Sequence, residues 1–153
     1  MSRIRGFEKI GTFKSDDFPL PKRKTNASAG YDIATQETMV LSAKKSAIVP
    51  TGLKAYMPPR EVLMVFARSS LYKTKHLMLT NHVAVIDSDY YDNPDNEGHI
   101  MISVLNVSDH DVTIKRGERL FQGIFMNYLV TDDDQDILPK RNGGFGSTGT
   151  SDS

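Results

Sequence analysis

Five short segments of this 153-residue chain carry residue types that can do chemistry. In Val83-Ala84-Val85-Ile86-Asp87-Ser88-Asp89-Tyr90, apolar residues run straight into two acids and a tyrosine. A strand end that presents a carboxylate over a pocket suits a general base, although this segment alone reads more readily as a surface turn capped by aspartate. Arg68-Ser69-Ser70-Leu71 follows an apolar run. Its guanidinium is a permanently charged fork for phosphate oxygens, and two hydroxyls at a helix start add donors. A helix N-cap with a surface arginine is the plainer alternative. Arg116-Gly117-Glu118-Arg119-Leu120-Phe121-Gln122 reads as a turn entering a strand. Arg119 and Gln122 lie an odd number of positions apart, so on an ideal strand they face opposite ways. Ala29-Gly30-Tyr31-Asp32-Ile33 reads as a turn into a strand. Gly143-Gly144-Phe145-Gly146-Ser147-Thr148-Gly149 is the fifth. Glycines let a backbone approach a ligand, and successive N–H groups with hydroxyls can cradle an anion. The lone Phe145 could stack on a ring. A tail of this composition cannot fold alone, so it is either disordered or ordered by what it binds.

The elements that would position these segments are short. Candidate strands cover residues 38–41, 46–49, 52–57, 61–66, 82–86, 100–107, 112–114 and 119–130, each bounded by Gly, Pro, Asn or Asp. Val62-Leu63-Met64-Val65-Phe66 is apolar throughout, as expected of a strand covered on both faces. One short helix is expected over 69–76, and no long 3.6-residue period supports an α/β fold. Many short strands with turn signals between them predict an all-β jelly roll or barrel.

Length and composition agree with one domain. Hydrophobic residues make up 39% and charged residues 25%, values that suit a globular core without disulfide or metal staples. Nineteen basic residues balance nineteen acidic ones, which argues against a broad nucleic-acid surface or an electrostatic membrane anchor. The absence of cysteine excludes disulfides, thiolate zinc sites and a thiol nucleophile. No apolar run is long enough to span a bilayer, and the first residues lack a signal-peptide core, so a cytoplasmic location is expected.

Taken in order, the five segments resemble the five signature motifs of trimeric dUTP pyrophosphatases (dUTPases). Residues 29–34, 68–71, 81–90 continuing into 98–104, 117–122 and 143–149 match motifs one to five, and the match runs from about residue 22 to about residue 150. The resemblance implies an all-β, jelly-roll-like β-barrel with one short helix, assembled as a homotrimer whose C-terminal arm crosses to another subunit. It divides the chain into a barrel over 1–138 and an arm over 139–153. The implied activity is Mg²⁺-dependent hydrolysis of dUTP to dUMP and pyrophosphate, which keeps uracil out of DNA and supplies dUMP for dTMP synthesis. Asp87 matches the residue that activates the attacking water. Arg68, Ser69, Ser70, Gln122, Arg141, Ser147 and Thr148 match phosphate-binding positions. Asn81, Ala84, Val85, Ile86, Tyr90, Ile100 and Phe145 match the uracil and deoxyribose site, with Tyr90 excluding a 2′-hydroxyl. Asp32 is a supporting acid. Mg²⁺ would be held mainly by substrate phosphates and waters, with indirect contacts from Asp32 and Gln122. No membrane or stable nucleic-acid partner is expected; a regulatory protein partner is left open.

Three features depart from the family pattern. Ala84 stands where the family has glycine, narrowing the pocket floor. An insert, Tyr91-Asp92-Asn93-Pro94-Asp95-Asn96, lengthens a normally short turn and reads either as a flap able to touch nucleotide or a neighbouring subunit, or as a passive loop. Alignment on Phe145 puts Lys140 at the place of the family's arm arginine, with Arg141 one residue later. The competing readings are a dCTP deaminase of the same superfamily and a regulatory protein on the dUTPase scaffold.

Overall fold

A computed structural model describes residues 2–134, 141 and 143–145. The strands are β1 (Gly6–Lys9), β2 (Lys22–Arg23), β3 (Tyr31–Ala34), β4 (Met39–Leu41), β5 (Ser46–Pro50), β6 (Leu53–Tyr56), β7 (Glu61–Ala67), β8 (Leu77–Leu79), β9 (Ala84–Asp87), β10 (Met101–Asn106), β11 (Val112–Ile114) and β12 (Arg119–Asn127). The helix α1 spans Leu71–Lys75, shorter than the expected 69–76. It ends because His76 turns into the left-handed region at φ 57°, where its N–H still reaches the Tyr72 carbonyl.

The strands fall into four sheets among the described residues rather than one closed barrel. The largest has the order β2-β3-β12-β7-β9; β5-β10-β8 forms a second, and β1-β6 and β11-β4 are two-stranded. The shape is therefore the jelly roll of the sequence expectation, with its sheets open rather than closed into a barrel. The apolar run of β7 has its reason in this topology. It lies between β12 and β9, and Leu63 and Val65 are fully buried. On β10 the pattern is period two, with Ile102, Val104 and Asn106 buried and their neighbours half-buried. These strands meet Phe7, Ile33, Leu41, Val49, Leu53, Leu71, Leu77, Ile114 and Phe121 in one core. No described helix is long and apolar enough to cross a membrane.

One half-buried titratable group makes stability pH-dependent. The Gly52 N–H donates to His99 Nε2 at 3.0 Å, so the ring sits in its neutral form with that nitrogen as acceptor. The ring packs against Phe13 at 5.7 Å. Burial pushes its pKa below the usual value of about 6.5, with nearby Glu97 opposing weakly. The unfolded chain therefore takes up this proton first as pH falls. The contribution is intact above about pH 6.5 and is lost as pH drops from there toward the folded-state value. We expect the melting temperature to fall more between pH 7.5 and pH 5.5 in the wild type than in His99→Gln. Equal falls in thermal melts would remove His99 from the acid sensitivity.

Candidate active site

The strands β8 and β9 are consecutive, yet they do not pair with each other. β8 pairs with β10 in one sheet, and β9 pairs with β7 in another. The link between them bends sharply: His82 has φ 62°, and the Val83 N–H donates to the Asn81 carbonyl at 2.6 Å. A positive φ at a non-glycine residue costs backbone energy and recurs at functional turns. Between the splayed arms opens a cleft of about 470 Å³. Its walls are Leu79, Thr80 and Asn81 from the first arm, Ala84, Val85, Ile86 and Asp87 from the second, and Met101, Ile102 and Ser103 of β10.

β9 is the last strand of its sheet. Its far edge carries no strand among the described residues, so alternate N–H and C=O groups there are left without ladder partners beside the cleft. Asp87 ends this edge. The chain then enters a 3-10 turn, Ser88–Tyr90, which turns the Tyr90 side chain back into the cleft wall. Tyr90 is 6% exposed, and its hydroxyl donates to the His99 carbonyl at 2.7 Å.

The described residues of the C-terminal segment line this cleft. Arg141 is an arm residue whose side chain is 7% exposed, and it forks between two acids. Its Nη2 reaches Asp87 Oδ2 at 2.7 Å and its Nε reaches Asp89 Oδ1 at 2.8 Å. The guanidinium also lies 5.5 Å from the centre of the Tyr90 ring. Gly144 and Phe145 line the same cleft. Asp87, Asn81, Ala84, Val85, Ile86, Tyr90, Arg141 and Phe145 are thus brought together on one chain. Ile100 is not. Its N–H donates to the Leu53 carbonyl at 2.8 Å, which turns the side chain fully into the core, and Met101 to Ser103 take the cleft wall instead. Lys140, Ser147 and Thr148 lie outside the described residues.

Of the remaining candidates, Arg68 and Ser70 line a second cleft of about 340 Å³, with Leu71, Thr74, Lys75 and the turn into β12. Asp32 draws two guanidinium groups toward it, Arg68 Nε at 3.3 Å and Arg119 Nη1 at 3.7 Å. Gln122 is the cross-strand partner of Asp32, and its amide donates to the Ala67 carbonyl at 3.2 Å. Gly30 packs closely here: a Cβ there would sit 2.4 Å from Gln122 Oε1 and 3.0 Å from its Cβ, so the Gln122 side chain would have to shift. The Ser70 side chain makes no capping bond to α1, so capping is not its use, and Ser69 is exposed beside it.

The two clefts are far apart along β7. Asp87 pairs with Val62, whereas Arg68 follows the other end of that strand. Six residues of extended chain separate the two positions, roughly 20 Å at 3.3 Å per residue.

The dUTPase family model matches residues 16–149. This chain belongs to the dUTPase family. Its members hydrolyse dUTP to dUMP, and this chain is an enzyme of that kind. The deoxyuridine 5'-triphosphate nucleotidohydrolase of Lactococcus lactis subsp. lactis is 49% identical over 148 residues, covering 96% of this chain and 99% of that protein. The enzyme of the same name from Shigella sonnei is 36% identical over 140 residues, 87% of this chain and 89% of that one. Among solved structures, the dUTPase from Streptococcus mutans superposes with a TM-score of 0.80 at 49% identity, covering 83% of this chain and 98% of that one. A variant of the dUTPase from phage phi11 of S. aureus, described with a coordinated structural Mg(II) ion, superposes with a TM-score of 0.70 at 21% identity, covering 87% and 96%. At that identity it shares the fold.

Within this dUTPase, sequence reading missed Arg119 as a partner of Asp32. The cause is a β-bulge: the register of β12 on β3 shifts between Arg119 and Phe121. Leu120 and Phe121 are consequently buried in succession, and the odd-even rule does not apply across that point. Adjacent apolar residues occur twice in this strand, at Leu120-Phe121 and again at Ile124-Phe125-Met126, so the sequence carried no distinct signal of the bulge. The wall residues Met101 and Ser103 gave none.

Proposed function

We propose that uracil binds against the bare edge of β9, reading its N–H and C=O groups as it would a complementary base, with the deoxyribose on Tyr90. The observation that carries this reading is the unpaired strand edge ending at Asp87 under Arg141 and Phe145. Phe145 would stack on the base, and the buried Tyr90 ring would leave no room for a 2′-hydroxyl. Asn81 would hold base or sugar. Asp87 would take a proton from a water as its oxygen attacks the α-phosphorus. The bond from that phosphorus to the bridging oxygen breaks, and pyrophosphate leaves. Arg141, rather than Lys140, is the arm cation we assign to the phosphates, with Ser147 and Thr148 as further donors.

Arg68, Ser69, Ser70 and Gln122, joined by Arg119, form the phosphate-binding half. Because that half lies roughly 20 Å along β7 from Asp87 by strand spacing, one chain cannot bring both to a single triphosphate. The complete site therefore needs a second copy, which supports the homotrimer. In this chain Arg141, Gly144 and Phe145 rest on its own cleft; a neighbour's arm would find the same surface.

Magnesium fits the donor set in a particular way. No group of three or more His, Cys, Asp or Glu side chains able to hold a metal occurs among the described residues. A hard cation that keeps several waters and binds chiefly through substrate phosphates suits such a site. Asp32 and Gln122 would meet it indirectly, and bound there it would supply charge neutralisation at the phosphates. The cysteine-free sequence suits a reducing, cytoplasmic compartment.

The test is a product assay on purified protein with Mg²⁺. We expect dUMP and pyrophosphate from dUTP and no ammonia from dCTP. Ammonia release from dCTP would replace hydrolysis by deamination as the activity.

A further inference from the structure

The insert after Tyr90 is neither an open flap nor a passive loop. It is a folded cap fastened to its own chain. The ammonium of Lys54, on a side chain 10% exposed, contacts Asp92 at 2.5 Å and Glu97 at 2.8 Å, with Glu8 at 3.9 Å. Burial alone would lower the pKa of this ammonium, but the two acids outweigh it and hold it above the ordinary lysine value. The Tyr91 hydroxyl donates to Glu8 at 2.5 Å, and Glu97 accepts the Gly11 N–H. Asn93 is buried and accepts the N–H groups of Asp95 and Asn96, closing the turn.

At the centre of this cap is Asn96. Its Nδ2 donates to the Tyr90 hydroxyl at 2.9 Å. Its Oδ1 accepts from Asn93 Nδ2 at 2.8 Å and from the Gly98 N–H at 3.1 Å, which fixes the orientation of the amide. The arm rests on the same amide. A Cβ at position 144 would lie 2.6 Å from Asn96 Oδ1 and 2.7 Å from its Cγ. The Gly144 N–H donates to Asp95 Oδ2 at 3.3 Å. One side chain thus touches both the ring that faces the sugar and the arm that closes the cleft.

We propose that Asn96 is a positioning residue: the insert is the docking seat of the glycine-rich arm, and Asn96 couples arm closure to the placement of the Tyr90 ring. The proposal rests on the site reading given above. Its consequence is that sugar discrimination and arm closure fail together when this amide is lost. An arm arriving from a neighbouring subunit would use the same seat.

A double-mutant cycle on the full chain tests it. Gly144 is not in the left-handed region, so alanine there is opposed only by its contact. We expect Gly144→Ala to lower kcat/KM for dUTP about 30-fold in the wild type and less than about 3-fold in an Asn96→Ala background, where the methyl group has room. Asn96→Ala alone should lower the dUTP-over-UTP preference about tenfold, by loosening Tyr90. It should also weaken protection of the bond after Arg141 against trypsin when an imido analogue of dUTP is bound with Mg²⁺. Asn96→Asp keeps the size and the acceptor but not the donor to Tyr90. It should lower the preference as Asn96→Ala does, yet leave Gly144→Ala fully damaging, and it serves if Asn96→Ala folds poorly. Equal losses from Gly144→Ala in both backgrounds, or an unchanged UTP preference, would overturn the proposal. Asp87→Asn is run alongside: turnover surviving in it would break the site reading itself, whereas a dead Asp87→Asn with an additive cycle removes only the role of Asn96.

Discussion

Asp87→Asn is expected to lower kcat for dUTP by roughly 10²–10⁴ while analogue binding survives, the usual scale for loss of a general base. The substitution is nearly isosteric. It removes the proton acceptor and weakens one arm of the Arg141 fork. The side chain stands at the end of β9, whose register on β7 is fixed by Val62, Leu63, Met64 and Val65. Half of it is exposed, so the fold should not suffer. Asp89→Asn is the informative comparison, because Asp89 makes the other bond to Arg141 at a similar distance. If seating Arg141 were all that mattered, the two variants would lose activity equally. Steady-state and single-turnover kinetics on both decide this, and near-normal turnover in Asp87→Asn would take the carboxylate out of the chemistry.

Truncation after Lys140 should leave a folded protein that turns over dUTP at least about 100-fold more slowly, since it removes the arginine, the ring and the hydroxyls to which the proposed phosphate and base contacts are assigned. The core explains the first half of this expectation. Its buried residues run from Phe7 to Phe121, and no described arm residue is among them. Phe145 is still half exposed on the cleft, so its removal uncovers little apolar surface within the chain. Circular-dichroism melts should change by only a few degrees. Full activity in the shortened chain would deny the arm any part in closing the site.

Much of the fold was legible because it depends on local pattern. The β7 run, the period-two β10 and the limits of β11 follow from apolar spacing and turn residues. The short β1, β2 and β8 were not legible. Each has two to four residues and owes its pairing to distant partners, as Gly6 does to Tyr56. The same divide runs through the site. Asp87, Arg68, Gln122 and the glycine-rich arm stand in recognisable order. The insert gave only polar turn residues, since its architecture comes from contacts 38 and 83 positions apart, Lys54 with Asp92 and Tyr91 with Glu8. The splitting of β8 and β9 between two sheets was equally invisible, because either strand alone looks like one arm of an ordinary hairpin.

A bare strand edge is a hazard in most proteins, since another chain can add to it and start aggregation. Here the hazard is contained by shape. The free edge of β9 is only four residues long and shares its cleft with β10, and its end carries Asp87 and Asp89. Four residues give an added strand few ladder bonds, and the two carboxylates at its end oppose a second chain. On the reading proposed above, this short edge is kept for the base of the substrate and offers a second chain little to pair with. A polar-to-apolar change at either acid is the kind of mutation that should expose the cost.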